Sequence, residues 1–334
     1  MKAIVIQTHG GPQSLVLSDL PDPQPKPGHV VIEVKSFGVN AAEIHMRQGD
    51  WPEAAKVSGI ECVGAVKNDP DGVLSAGQTV VALMGGMGRS IWGSYAQYTN
   101  VPRTNVVAVK TSLPWDALAA VPESYATAWS CLFGNLELKS GQTLLVRGGT
   151  SALGQAAINL AVDAGARVLA TTRKRERFAA LEALGANRCL VEGPSLGARV
   201  RELHPDGIDA VLDLVGNSVV LESLTVLRRG GRACEAGWLG GLAPITSFNP
   251  MLQLPTGVHY SLFGSFVYGT REFPLSEVPM QRIVDAVATG KYKAKPAKVF
   301  AFEQIREAHA LMESGGANGK IVVMGPGIAC DRAA

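Results

Sequence analysis

Apolar residues in this 334-residue chain come in short runs punctuated by glycine and proline. Over the first hundred positions the runs are strand-like and rich in β-branched residues, as at 30–34 (Val-Val-Ile-Glu-Val) and 79–83 (Thr-Val-Val-Ala-Leu). Residues 1–6 read as a first strand, 59–67 as another candidate, and the proline-rich 21–28 as a connector. Near Ala117 the rhythm changes to an alternation of strands and helices that continues to about residue 268. The pattern predicts strands at 143–147, 167–171, 188–191, 209–214, 231–236 and 258–264, and helices at 151–164, 174–184, 195–203 and 217–228. Gly185 is a stop signal for the second of these helices. The tail reads as helices at 276–290 and 303–314 and a last strand at 319–324, expected to pack back on the N-terminal part.

The junction at residues 143–154 carries the most chemistry. An apolar strand runs into Gly148-Gly149-Thr150-Ser151-Ala152-Leu153-Gly154, a helix follows at once, and then a second strand. Such a βαβ unit holds a dinucleotide pyrophosphate on the helix N-terminus, where backbone N–H groups lack partners and the dipole is positive. Ser151 stands where the middle glycine of the fingerprint belongs. Its hydroxyl, or the amides of Ala152 and Leu153, then meets phosphate between Gly149 and Gly154. The second strand ends Thr171-Thr172-Arg173-Lys174-Arg175 without the acid that accepts from a ribose 2′-hydroxyl. Arg173 and Lys174 suit a 2′-phosphate, which favours NADPH over NADH; the alternative is an ordinary basic first turn of a helix.

Composition narrows the class. Hydrophobic residues make up 46% and charged residues 18%, a profile of a compact α/β enzyme and not of a disordered chain. A net charge of +2 gives no electrostatic case for nucleic acid or a membrane surface. Neither a leader nor a run of membrane-spanning length is evident, so a cytoplasmic location is expected. Cys62, Cys131, Cys189, Cys234 and Cys330 are odd in number and scattered, which points to small buried hydrophobes and away from disulfides or a zinc knuckle.

Several segments together carry a family resemblance: Pro25-Lys26-Pro27-Gly28-His29-Val30-Val31-Ile32, Gly38-Val39-Asn40, Gly59-Ile60-Glu61-Cys62-Val63-Gly64, Gly93-Ser94-Tyr95-Ala96-Gln97-Tyr98, the turn at 148–154, Asp213-Leu214-Val215-Gly216, and Gly319-Lys320-Ile321-Val322. In this order the chain resembles the medium-chain dehydrogenase/reductase superfamily, and within it the zinc-independent quinone oxidoreductase (zeta-crystallin-like) branch. The resemblance implies an α/β protein: a GroES-like β domain over 1–122 completed by 269–334, and a Rossmann doubly wound parallel-sheet domain over 123–268 that binds NADP. Zinc alcohol dehydrogenases of the superfamily carry Cys where this chain has Asn40, and Gly-His-Glu where it has Gly59-Ile60-Glu61. They also carry a four-cysteine lobe around 85–100, where this chain has none. No metal is therefore expected. Without zinc to generate an alkoxide, the suitable acceptors are already electron-poor.

The resemblance also implies roles for particular residues. Asn40 would donate to a substrate carbonyl, or else satisfy its own turn. His45, where the family has Tyr, would protonate the product oxygen, or else be a surface histidine on a short helix. Arg47 more simply holds a structural salt bridge. Thr127 lies beside the nicotinamide in the family pattern. Val215 and Gly216 are expected at the nicotinamide ribose, Gly237, Trp238 and Leu239 at the same edge, Phe263 and Ser265 at the carboxamide through their backbone, and Lys320 at a cofactor phosphate. The expected activity is NADPH-dependent reduction of quinones by a homodimer. The alternatives are a reductase of enones or 2-alkenals and a non-catalytic NADPH-binding protein.

Overall fold

The computed structural model describes residues 1–51 and 53–330. The chain forms two compact units, Met1–Glu123 with the segment from Ser265 onward, and Ser124–Gly264.

The second unit is a six-stranded sheet with the spatial order Arg188–Val191, Arg167–Thr172, Thr143–Arg147, Ile208–Asp213, Leu227–Glu235, His259–Leu262. Every pairing in it is parallel. This is the doubly wound arrangement, with the order of connection reversing beside the first strand of the unit. The central strands Thr143–Arg147 and Ile208–Asp213 are buried on both faces and apolar almost throughout, whereas Leu227–Glu235 and the edge strand His259–Leu262 carry polar and exposed positions. Leu145, Leu169, Val211 and Ala233 pack with Leu196, Val200 and Leu224 of the helices on one face. Alternate residues Leu144, Val146, Val168 and Ala170 are buried on the other, where helix Ala152–Asp163 lies.

Boundaries differ from the periodicity at one instructive place. A helix predicted over 217–228 forms only at Val220–Thr225, because strand Leu227–Glu235 begins four positions earlier than the predicted 231. Gly207, whose added Cβ would lie 2.6 Å from the Arg228 nitrogen, allows the adjacent strand to start hard against it.

The first unit is built on a seven-stranded sheet ordered Lys298–Phe300, Ile321–Met324, His29–Val39, Glu61–Asn68, Thr79–Leu83, Val106–Ala108, with Tyr98–Pro102 also pairing on His29–Val39. A separate hairpin joins Lys2–Ile6 to Leu15–Asp19. The hub strand His29–Val39 is longer than the predicted 30–34 because three neighbours share it. Antiparallel registers set Ile321 opposite Val39 and Ser36 opposite Val63. Continued by one or two residues, they bring Lys320, Asn40, Gly38 and Glu61 together although these lie far apart in sequence. The helix predicted over 276–290 runs Met280–Ala288, with Pro279 as its N-cap.

Helix Ala41–Gln48 is tied to helix Ile305–Glu313 by a buried polar post. Arg47, fully buried, pairs with Glu313, donates to the Gly10 carbonyl and donates Nε to His309 Nδ1 at 3.3 Å. His309 Nε2 lies 2.9 Å from the Tyr95 hydroxyl. The structural role expected of Arg47 is thus the observed one. Burial, with the Arg47 charge beside it, pushes the His309 imidazole down to about 3. All five cysteines are free thiols, and Cys62, Cys131 and Cys234 are buried. Among the described residues no helix is long and apolar enough to cross a membrane.

Candidate functional site

The glycine turn of the second unit is assembled by short backbone contacts. Gly148 takes φ +81°, and its N–H donates to Thr171 Oγ1 at 3.0 Å. The Gly149 N–H donates to the Thr171 carbonyl at 2.9 Å. Ser151 is the N-cap of helix Ala152–Asp163: its hydroxyl accepts from the Gly154 N–H at 3.0 Å and donates to the Gly148 carbonyl at 2.9 Å. The serine that replaces the middle glycine therefore spends its hydroxyl closing the turn. The amides of Ala152 and Leu153 are first-turn donors with no acceptor inside the helix. A Cβ at Gly154 would lie 2.5 Å from the Gly148 carbonyl oxygen, so only glycine lets the helix rest on the turn. Partly exposed first-turn amides on a twelve-residue helix that rests closely on a glycine turn fit a pyrophosphate.

The same sheet edge gathers other expected residues. Asp213 Oδ1 accepts from the amides of Val215 and Gly216, each at 2.9 Å, and burial raises this carboxyl. The loop beyond Gly237 is zipped to this one by Leu239 N–H on the Leu214 carbonyl at 3.1 Å and Gly240 N–H on the Val215 carbonyl at 2.8 Å. A Cβ at Gly237 would sit 2.7 Å from the Leu214 oxygen, so glycine is what lets the loops touch. Trp238 lies on that loop, and the Phe263 N–H donates to the Glu235 carbonyl at 2.9 Å at the end of the neighbouring strand. Arg173 and Lys174 are exposed immediately beyond strand Arg167–Thr172. Thr127 is buried on helix Pro122–Trp129, which Tyr125 anchors through the Asn159 amide at 3.0 Å.

The first unit holds a second cluster. Asn40 follows the hub strand and is the N-cap of helix Ala41–Gln48. Its N–H donates to Glu43 Oε2 at 2.8 Å, and Glu43 Oε1 accepts from the Ile60 N–H at 3.1 Å. Fully buried, Glu43 is pushed up to about 7 by desolvation. The Asn40 amide donates to Glu61 Oε1 at 2.9 Å and, at 3.4 Å, to Glu43. Lys320 Nζ donates to both Glu61 and Asn40 Oδ1, and the Glu123 N–H fills Glu61 Oε2 at 2.8 Å. Gly38 makes this possible, because a Cβ there would lie 2.2 Å from Lys320 Cε.

One expectation changes. Lys320 is 4% exposed and committed to Glu61 and Asn40, so its ammonium is not offered to a cofactor phosphate. The Ser265 hydroxyl donates to Glu123 at 3.1 Å, and the backbone contact to a carboxamide expected of this segment does not draw on it. His45 stacks on Trp51 at 5.6 Å, with Nδ1 held by Asp50 at 2.9 Å. With its proton on Nδ1, a neutral ring presents Nε2 as an acceptor and gives a proton only as imidazolium. The structure does not link His45 to the Asn40 cluster. The described residues contain no group of three His, Cys, Asp or Glu placed to hold a metal. At the position where a metal would be bound, the donors are an amide and a carboxylate already filled by Lys320, Asn40 and a backbone N–H. Such a set does not fit zinc. Sequence reading missed Arg147, buried just before the glycine turn, and its part-buried partner Glu192; a charge ending an apolar strand was the available signal.

The alcohol dehydrogenase GroES-like domain family matches residues 26–111, and the zinc-binding dehydrogenase family matches residues 152–280. The chain is 26% identical over 333 residues to the quinone oxidoreductase of Homo sapiens, covering 97% of this chain and 98% of that protein. It is also 26% identical to a stretch of the squalestatin tetraketide synthase clz2 of Cochliobolus lunatus, covering 89% of this chain but spanning only 12% of that much longer protein. Among solved structures, mycobacterial Rv1454c complexed with NADPH superposes with a TM-score of 0.85 at 26% identity, over 97% of this chain and 99% of that one.

Proposed function

This chain is a member of the medium-chain dehydrogenase/reductase superfamily, a family of oxidoreductases, and from that premise we propose that it is an NADPH-dependent, zinc-independent reductase of quinones. The observation that carries the reading is the Lys320–Glu61–Asn40 cluster, which sets a buried ammonium where the zinc enzymes gather metal ligands. A divalent ion there would have to displace that ammonium and would find neither thiolate nor imidazole. Similarity to a quinone oxidoreductase along nearly the whole chain supports the acceptor class.

Bound NADPH supplies a hydride at the nicotinamide C4. In this reading the Ala152 and Leu153 amides, with Gly149, Ser151 and Gly154 shaping the turn, bind the pyrophosphate. Arg173 and Lys174 bind the 2′-phosphate. Val215 and Gly216 contact the nicotinamide ribose, while Thr127, Gly237, Trp238 and Phe263 orient the nicotinamide ring. The Asn40 hydrogen held only by the long 3.4 Å contact to Glu43 is the one a substrate oxygen takes as it gains charge. The proton for that oxygen comes from solvent or from His45. A quinone needs no more, because conjugation already spreads the charge the hydride brings. The same donors serve an enolate oxygen, so reduction of enones or 2-alkenals is the second reading.

The free thiols suit a reducing, cytoplasmic setting. The outer edge of strand His259–Leu262 suits a second copy of the chain.

The test is a turnover panel of NADPH against NADH with an ortho-quinone, a para-quinone, a 2-alkenal and a cyclic enone, with and without a chelator. We expect chelator-insensitive oxidation of NADPH at least about tenfold better than of NADH, with the quinones ahead. Tight NADPH binding without turnover on any acceptor would replace the enzyme with a binding protein.

A further inference from the structure

A buried cation lies directly under the glycine turn and has no part in the roles above. Arg147 ends strand Thr143–Arg147, just before Gly148, and is 1% exposed. Its guanidinium forks onto Glu192: Nε lies 3.2 Å from Oε2, and a terminal nitrogen donates to Oε1. The other terminal nitrogen donates to Ser223 Oγ at 3.0 Å and to the Val219 carbonyl at 3.3 Å, and lies 3.1 Å from a Glu222 oxygen. A two-pronged grip of this kind fixes the carboxylate's direction as well as its charge. Glu192 also accepts from the Thr171 hydroxyl at 2.7 Å, which in turn accepts from the Gly148 N–H at 3.0 Å. One network therefore joins the glycine turn, the end of strand Arg167–Thr172 and Glu192.

The placement of Glu192 gives this network a consequence. Its N–H donates to the Thr172 carbonyl at 2.9 Å. The register pairing Val191 with Thr172 carries Glu192 to the level of Arg173. A free acid at that level would pair with Arg173, repel a phosphate dianion and accept from a ribose hydroxyl, as acids at this edge do in NAD-binding units. Glu192 is instead turned away and neutralised. Arg173 is exposed and has no side-chain partner among the described residues.

We propose that Arg147 determines cofactor specificity without touching the cofactor: by holding Glu192 it keeps Arg173 free for the 2′-phosphate. This rests on the assignment of Arg173 and Lys174 to that phosphate. The loss of the Arg147 charge would release Glu192 onto Arg173 and shift the balance toward the unphosphorylated dinucleotide.

The experiment measures the dissociation constants of NADPH and NADH for the whole protein by quenching of nicotinamide fluorescence. In Arg147→Met the NADPH preference should fall about tenfold, chiefly through weaker NADPH binding. In Arg147→Met/Glu192→Gln it should return to within about threefold of the parent protein. Arg147→Lys keeps the buried charge but not the fork, so its preference should fall part of the way; it decides the matter if the Met variant does not fold. Arg173→Ala tests the underlying assignment. An unchanged preference in Arg173→Ala overturns the 2′-phosphate placement, and the proposal falls with it. A reduced preference in Arg173→Ala beside an unchanged one in the Arg147 variants overturns the proposal alone. So does a loss in Arg147→Met that Gln at 192 does not restore, because the turn itself would then have been damaged.

Discussion

Individual side chains in this protein act through partners that no sequence window contains. Lys320 reads as a free cation near the end of the chain, yet its neighbours are Asn40 and Glu61, brought to it by strand register. Arg147 reads as the end of a strand and is the centre of a buried charge network. Ser151 was legible in part: its place at the head of a helix was visible, but its commitment as a cap was not. Burial of ionisable groups sets the pH response at this scale. His309 is pushed down to about 3 in the folded state, against about 6.5 in an unfolded chain. The folded state therefore binds fewer protons, and this contribution is complete above pH 6.5 and is lost as pH falls toward 3, at about 1.4 kcal/mol per pH unit. Glu43, pushed up to about 7, works in the opposite direction: its contribution is complete below its unfolded value near 4.5 and is lost as pH rises through 7. The two slopes oppose each other between roughly pH 4.5 and 6.5, and stability should decline outside that window. His309→Gln stays neutral at every pH. Urea unfolding should show its stability improving relative to the parent protein as pH drops below about 6.5. A stability difference that does not change from pH 7 to 4 would contradict the assignment of that limb to His309.

At the scale of elements, the second unit was the more legible. Its central strands are apolar runs, the first of them ending on the glycine turn, and the parallel order follows from strand–helix alternation. The first unit was less so. Tyr98–Pro102 and Val106–Ala108 are short or mixed in polarity and hold their place by pairing, not by periodicity. One of the open sheet edges carries exposed apolar side chains. Strand His259–Leu262 ends the sheet, with Tyr260 and Leu262 exposed, and the helix that precedes it in the chain, Pro250–Gln253, exposes Met251 at 89% and Leu252 at 83%. An open strand edge beside apolar side chains is a surface that another chain covers, which motivates the proposed homodimer. Sedimentation equilibrium should find a dimer that Met251→Glu/Leu262→Glu converts to monomer with the NADPH affinity retained. A monomer in the parent protein at micromolar concentration would dismiss this.

For the whole molecule, the doubly wound sheet and the GroES-like sheet were both foreseeable, because their signatures lie in contiguous segments. The polar cluster of the first unit was not, because it exists only once three strands are in register. That cluster is also what separates this chain from the zinc enzymes whose fold it shares, and it underlies the proposed chemistry, hydride transfer to an electrophilic acceptor without a metal. The most direct measurement uses metal-stripped enzyme, NADPH deuterated at C4 and a cyclic enone, with mass spectrometry of the product. We expect a single deuterium on the enone β-carbon, and with a para-quinone a primary isotope effect on the chemical step. NADPH oxidation that needs added metal, or a reduced product carrying no deuterium from either C4 position, would contradict that chemistry.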